Sequence, residues 1–335
     1  MKFALGKITN ASLLILGLSI AMPARSAHAQ SCQMSEELDN ATRTAITTAG
    51  QRYFEMAAKG DGASLRQNSM PALAASIEAT VKEGLSGLDG AQASIKSVFL
   101  LDASGSAPIP HAEFYCGVFG KNGQTANSAE FSLDNLPPAK YAVVLAEANS
   151  PKARTMFSEI LQQVGSDWKL AGLYIKPAQA AGHDSDWFLA RARDYKAKGQ
   201  RHNAWLFYRE ALSLISPVQF MSTLATDKLY DESQGLQSSD LPGWGKTADL
   251  AAGTTTYKLT QVDLAAVNTD LDLIVKYQSA DAADGNQAYQ ENMAVMKAFV
   301  AKYPEVREAF AAVVAHAVDA QGHDYGTLLA MKDIK

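Results

Sequence analysis

Two cysteines and six histidines in 335 residues leave little material for a metal centre. A structural zinc site takes four clustered thiolate or imidazole ligands, and Cys32 and Cys116 have no histidine cluster beside them. No H-E-x-x-H stretch occurs. Basic runs are missing too. Thirty Lys and Arg face 35 Asp and Glu, and no stretch interleaves cations with aromatics. That balance disfavours nucleic acid and anionic membrane surfaces as partners. After the first thirty residues no apolar run nears the ~20 residues of a membrane helix. A phosphate loop is also incomplete: Gly245-Lys246-Thr247 has the right ending, but Asp240 stands where the leading glycine belongs. Ala280 and Ala282 occupy the first ligand positions of a would-be calcium loop around Asp284, Gly285 and Glu291.

The N-terminus carries a clear pattern. Lys2 and Lys7 precede the apolar run LLILGLSIAM, and PARSAHA follows with Ala27 and Ala29 flanking His28. This reads as a secretory leader over 1–29, cut before Gln30; a retained anchor is the alternative. Loss of Lys2, Lys7 and Arg25 with the leader takes the net charge from −5 to −8. The mature chain is expected to be soluble and exported, to the periplasm or beyond. An oxidising compartment permits a Cys32–Cys116 disulfide. The other reading is a free thiol near the terminus and a buried Cys116. Ala29-Gln30-Ser31 is a poor context for lipid attachment at Cys32. Asn40-Ala41-Thr42 is a glycosylation sequon on an expected helix.

The mature length suits two or three units. Leu38, Ala41, Ala45, Ala49, Tyr53, Met56 and Ala57 recur at helical spacing, so 35–59 reads as a helix capped by Ser35 and stopped at Gly60-Asp61-Gly62. Shorter helices are expected over 63–72 and 73–87. From about residue 91 the pattern becomes short β-rich runs: SIKSVFLLD, EFYCGVFG, AEFSLDNL, KYAVVLAEA, and TMFSEILQQV joined to DWKLAGLYIK by a turn at Gly165-Ser166-Asp167. Helices followed by an antiparallel meander define an α+β class. The opening helix ending in FEMAAKGD and the closing hairpin EILQQVGSDWKLAGLYI resemble the nuclear transport factor 2-like fold over about 35–178. That resemblance implies a curved sheet around a cone-shaped pocket.

PAQAAGHDSD reads as a linker. After it, Phe188, Ala192, Tyr195, Gly199, Ala204, Tyr208 and Ala211 fall at the spacing of one tetratricopeptide repeat, which this stretch resembles. Arg191 departs from that pattern, and Pro217 comes one residue late. Only one copy is present. A single unit cannot bury its own face, so the hairpin over 184–217 is expected to lean on neighbouring units as a bridge, with a peptide groove as the alternative. QFMSTLATDKLYDE reads as a helix and SQGLQSSDLPGWGKT as a loop. YKLTQVDLAAV and TDLDLIVKYQ read as paired strands, then a helix with the stripe Tyr289, Met293, Met296, Val300 and Tyr303 up to Pro304, then a hairpin about DAQGHD. The units are therefore 30–178, 179–217 and a second α+β unit over 218–335.

No catalytic constellation stands out. Ser166-x-x-Lys169 lies in a hairpin and strand, where that spacing points the side chains to opposite faces. His183-Asp184 and His323-Asp324 each follow a glycine in turns, where aspartate bonds to local backbone. If the cone is a site, the inward acids, bases and phenols by position are Asp102, His111, Glu113, Tyr115 and Tyr141. No cofactor or metal is expected. The preferred reading is a non-catalytic binding or scaffolding protein of the cell envelope, with a protein or peptide partner. The alternative is a small-molecule pocket protein, possibly an isomerase or cyclase, taking a small apolar ligand in the cone.

Overall fold

The computed structural model describes residues 30–335 except 78, 81–87, 89, 118, 121–122, 125–127, 151–152 and 244; the expected leader, and most of the helix expected over 73–87, lie outside the described residues. Strand β1 (Ser31–Met34) pairs antiparallel with the end of β2 (Gln92–Asp102). Its backbone groups are thereby spent in a sheet, so helix α1 (Asn40–Ala58) starts later than the expected Ser35 cap. Asp39 caps it instead: its carboxylate accepts the Thr42 N–H at 2.9 Å. The buried stripe of α1 is Ile46, Ala49, Gly50, Tyr53, Phe54 and Ala57. Ala41 and Ala45, expected on that stripe, are exposed, because the bulky Ile46 and Phe54 set which face turns inward. Short helices α2 (Gly62–Asn68) and α3 (Pro71–Ala74) follow.

The first five-stranded sheet runs β1-β2-β5-β6-β7, with β5 Lys140–Asn149, β6 Arg154–Val164 and β7 Asp167–Pro177, all neighbours antiparallel. Its α1 face presents Val98, Leu100, Val144, Phe157, Leu161 and Leu170. Its other face presents Phe99, Leu101, Tyr141 and Val143 to a small sheet of β3 (Ile109–Cys116), β4 (Ala129–Leu136) and β8 (Met221–Thr223). The continuous apolar run of β5 is explained by this sandwiching, since a strand covered on both faces has no polar side. Cys32 on β1 and Cys116 on β3 form a disulfide that ties the two sheets together.

The α-hairpin consists of α4 (Ser185–Ala197) and α5 (Arg201–Ile215). Ala192 and Ala204 are fully buried, as are Phe188, Tyr195, Phe207, Tyr208 and Ala211. They share one apolar cluster with the C-terminal half. Phe207 meets Phe310 with ring centroids 6.0 Å apart. Each large buried side chain contributes roughly 1.5–3 kcal/mol. An exposed ion pair such as Lys198–Glu308 contributes about 0–1 kcal/mol. Packing therefore decides where the hairpin sits. The chain then returns to the first half: Val218 and Met221 pack beneath the small sheet, and β8 pairs with β4. The helix expected over 219–232 splits accordingly. Only α6 (Leu224–Ser233) is helical, because Thr223 closes a capping box with Thr226.

The second five-stranded sheet runs β9-β10-β11-β12-β13, with β9 Ala248–Ala252, β10 Thr255–Val267, β11 Asp270–Gln278, β12 Ala312–Val318 and β13 Asp324–Ala330. Strands β11 and β12 are parallel and joined through α7 (Gly285–Lys302) and α8 (Val306–Ala309); the other neighbours are antiparallel. Leu271, Leu273, Val275 and Tyr277 all face the core. On α7 the buried residues are Ala288, Asn292, Val295, Met296, Phe299 and Val300. Tyr289, expected on that stripe, is exposed, since the inward face is set one residue earlier by Ala288 and Asn292. The chain is of α+β class. Among the described residues, no helix is long and apolar enough to cross a membrane.

Candidate functional site

Odd-numbered residues of β5 face away from α1. Tyr141 and Val143 are covered by the small sheet, but further along the strand that cover ends. The C-terminal end of α5 takes over, bringing Leu214, Ile215 and Pro217 toward Leu145 and Met156. The two covers do not meet, and a cleft of about 340 Å³ remains between them. Cavities of this size fall in the range that holds small ligands.

Charge of both signs rims this apolar floor. Arg154 Nε and Nη2 each donate to Glu147 Oε1 at 2.7 Å. Lys96 Nζ lies 3.7 Å from Glu147 Oε2, and Arg154 Nη1 lies 4.0 Å from Asp184 Oδ2. The Arg154 guanidinium, with a smaller contribution from Lys96, holds the Glu147 carboxyl below its ordinary range. Asp184 also caps α4, accepting the Trp187 N–H at 3.1 Å, and Ser185 Oγ donates to the Ala211 carbonyl at 3.0 Å. Strand and hairpin thus build the rim jointly. The sequence hid this site because its residues come from six separated segments and none bears a recognisable motif; only the polar breaks Lys96, Glu147 and Arg154 in apolar strands hinted at it.

The cone candidates do not converge. His111, Glu113 and Tyr115 alternate onto the outer face of β3, and all three are about half exposed. There His111 Nδ1 lies 2.7 Å from Asp134 Oδ1, its Nε2 lies 3.3 Å from Glu113 Oε1, and Tyr115 Oη donates to Glu113 Oε2 at 3.0 Å. The two carboxylates raise the His111 pKa, Asp134 most. Asp102 sits at a strand end, 3.7 Å from Lys140 Nζ, and its carboxylate accepts the Ser104 N–H. Tyr141 is buried with its hydroxyl donating to the Pro137 carbonyl at 2.9 Å. The expectation that these five face one pocket is corrected: β3 turns its polar side outward because Ala112, Phe114 and Cys116 are needed inside.

The carboxyl that does face inward is Glu159 of β6, 1 % exposed between α1 and the sheet. Its Oε1 has no hydrogen-bond partner. Burial pushes its pKa well above the usual carboxylate range. A Cβ on Gly50 of α1 would lie 2.7 Å from Glu159 Oε2, so the helix approaches this closely only because residue 50 is glycine.

Around the hairpin, Arg191 fills the place of the leucine expected in a repeat. Its guanidinium lies over the rings of Trp187 at 5.7 Å and Tyr195 at 5.5 Å. His183 stacks on Trp187 at 3.8 Å, and Asp324 approaches His316 at 2.6 Å rather than serving its neighbour His323, which approaches Asp319 at 2.8 Å. The face of α4 carrying Arg193 is occupied by α6: Arg193 Nε and Nη2 each reach Glu232 at 2.7 Å. Among the described residues, no group of three or more His, Cys, Asp or Glu side chains could hold a metal ion.

No protein-family model matches the chain, and comparison with curated proteins and with solved structures finds no significant match.

Proposed function

We propose that this is an exported binding protein of the cell envelope, with the cleft between β5 and the end of α5 as its binding site. One observation carries the reading: an apolar floor with a rim of paired charges lies where hairpin and sheet build it together. Such a cleft suits a small amphipathic ligand with its apolar body on Leu145, Met156 and Pro217 and a polar head at Arg154 and Asp184. Export is supported by the leader pattern over 1–29 and by the Cys32–Cys116 disulfide. In this reading the single tetratricopeptide-like hairpin is a bridge that gives the cleft its second wall. The shared apolar cluster of the hairpin with Phe310 and the C-terminal half supports that reading.

The test is calorimetric titration of the folded protein with a series of alkyl carboxylates and alkylamines. Binding that Met156→Trp reduces at least tenfold, with the melting temperature held within a few degrees, supports the site. Absence of binding, or binding indifferent to Met156→Trp, sinks it. The runner-up, acid–base chemistry in the α1 cone, is favoured by one observation, the inward Glu159. It requires α1 to move, because Gly50 and Val144 close on that carboxyl.

A further inference from the structure

A second concavity lies between α5, α6, the 235–243 turn and β10, with a volume of about 750 Å³. Its chemistry differs from that of the cleft. Four glutamines line it: Gln219, Gln234, Gln237 and Gln261. The first three are exposed, and their side-chain amides make no hydrogen bond to other described residues. Gln237 is nonetheless seated: its amide lies so close over Gly243 that a Cβ there would collide with Nε2. Tyr230 is 58 % exposed at the same groove.

The charges in the groove cancel. Arg209 Nη2 pairs with Asp263 Oδ1 at 2.7 Å, and its Nη1 donates to the Val262 carbonyl at 3.1 Å. The same guanidinium covers the Trp205 ring at 4.6 Å. Among the described lining residues the charged groups are Arg209 and Asp263, and they neutralise each other. A carboxamide is donor and acceptor at once, which matches a hydroxyl that is also both. A row of such groups reads vicinal hydroxyls, and an exposed phenol ring gives the C–H face of a pyranose a surface to lie on.

We propose that this groove binds an uncharged oligosaccharide, with Tyr230 as the stacking platform and Gln234 and Gln237 as the hydroxyl readers. It is a site separate from the cleft proposed above and does not depend on it. The experiment titrates the full chain with maltotriose, cellotriose and chitotriose by calorimetry, alongside saturation-transfer NMR. At least one of the three is expected to bind with a micromolar to low millimolar constant. Tyr230→Ala and the double variant Gln234→Ala/Gln237→Ala should each weaken it at least tenfold. All three residues are exposed, so both variants should fold; unchanged circular dichroism and melting temperature confirm it. Met156→Trp in the other cleft should leave sugar binding unchanged. No heat and no saturation transfer from any of the three sugars at about 10 mM, well above a low-millimolar constant, would overturn the proposal. Binding unaffected by either groove variant would overturn it equally.

Discussion

Glu159 and Asn292 occupy matching places in the two halves. Each sits where a long helix crosses a five-stranded sheet, and each is almost wholly buried. Their surroundings differ. Asn292 Oδ1 accepts the Tyr277 hydroxyl at 2.9 Å, and its Nδ2 donates to the Tyr325 carbonyl at 3.0 Å and to Thr327 Oγ1 at 2.9 Å. Both amide hydrogens are used and the oxygen accepts one bond, so α7 is fixed to β11 and β13 by direction as well as by packing. Glu159 has an oxygen with no partner at all. Burial alone does not tell these roles apart; partner accounting does. A satisfied buried amide specifies one arrangement, whereas an unsatisfied carboxyl is a cost that the first half carries.

The first half compensates covalently. The Cys32–Cys116 disulfide closes a loop with a sequence separation of 84, and the second half has no counterpart. Loop-closure entropy sets its contribution at about 4–5 kcal/mol as an upper figure. The double variant Cys32→Ser/Cys116→Ser should therefore produce the largest effect. Hydrogen exchange should accelerate across β2, β5 and β6 while β10 to β12 keep their protection. Equal loss in both halves would show a single cooperative unit and dissolve the contrast between them.

Asn292→Leu comes next, from the opposite side. It takes the acceptor from the buried Tyr277 hydroxyl and one of the donors from the Tyr325 carbonyl, a loss of about 1–3 kcal/mol. Urea unfolding followed on the C-terminal half should shift to lower midpoint. The double variant Asn292→Leu/Tyr277→Phe should recover part of the loss, because removing both partners costs less than orphaning one. Full additivity of the two single losses would mean that the hydrogen bond does not couple them.

How much of this was legible depends on the range of the interaction. The strand runs, the Gly165 turn, the hairpin spacing and the α+β class follow from local periodicity, and each appears in the structure. The start of α1 did not, because Ser35 is as good a cap as Asp39 until β1 is known to pair with β2. The return of Met221 to the first half was equally hidden: three residues of strand in QFMST carry no alternating signal, and only the exposed edge of β4 gives them a partner. The site suffered most. His111, Glu113 and Tyr115 were placed inward by position, but the parity of β3 is set by Phe114 and Cys116. Glu159 was passed over inside EILQQV, although an acid on the same strand parity as Phe157 and Leu161 was the visible clue.

The last variant tests the other side of the comparison. Glu159→Leu removes an unsatisfied oxygen and should stabilise the first half at neutral pH by about 1–3 kcal/mol. Its pH dependence is the sharper readout. The folded pKa of Glu159 lies above the unfolded value because burial disfavours the charged form. Its favourable contribution is then complete below the unfolded value, near 4.5, and is lost as pH rises from there through the folded pKa. The group facing it from α1 is Tyr53, whose hydroxyl donates to the Trp168 carbonyl at 2.8 Å and accepts from Arg52 at 3.1 Å. Its opposite neighbours on the sheet, Val144 and Leu173, do not titrate. The Glu159 contribution to the stability of the first half should therefore decline as pH rises from about 4.5 through the folded pKa, and Glu159→Leu should flatten that slope. The second half has its own buried carboxyl, Asp272, raised by burial, so its slope should be the same in wild type and in Glu159→Leu. An identical slope of the first half in wild type and Glu159→Leu would mean that Glu159 reaches water or a partner after all, and the two layers would then be alike in satisfying what they bury.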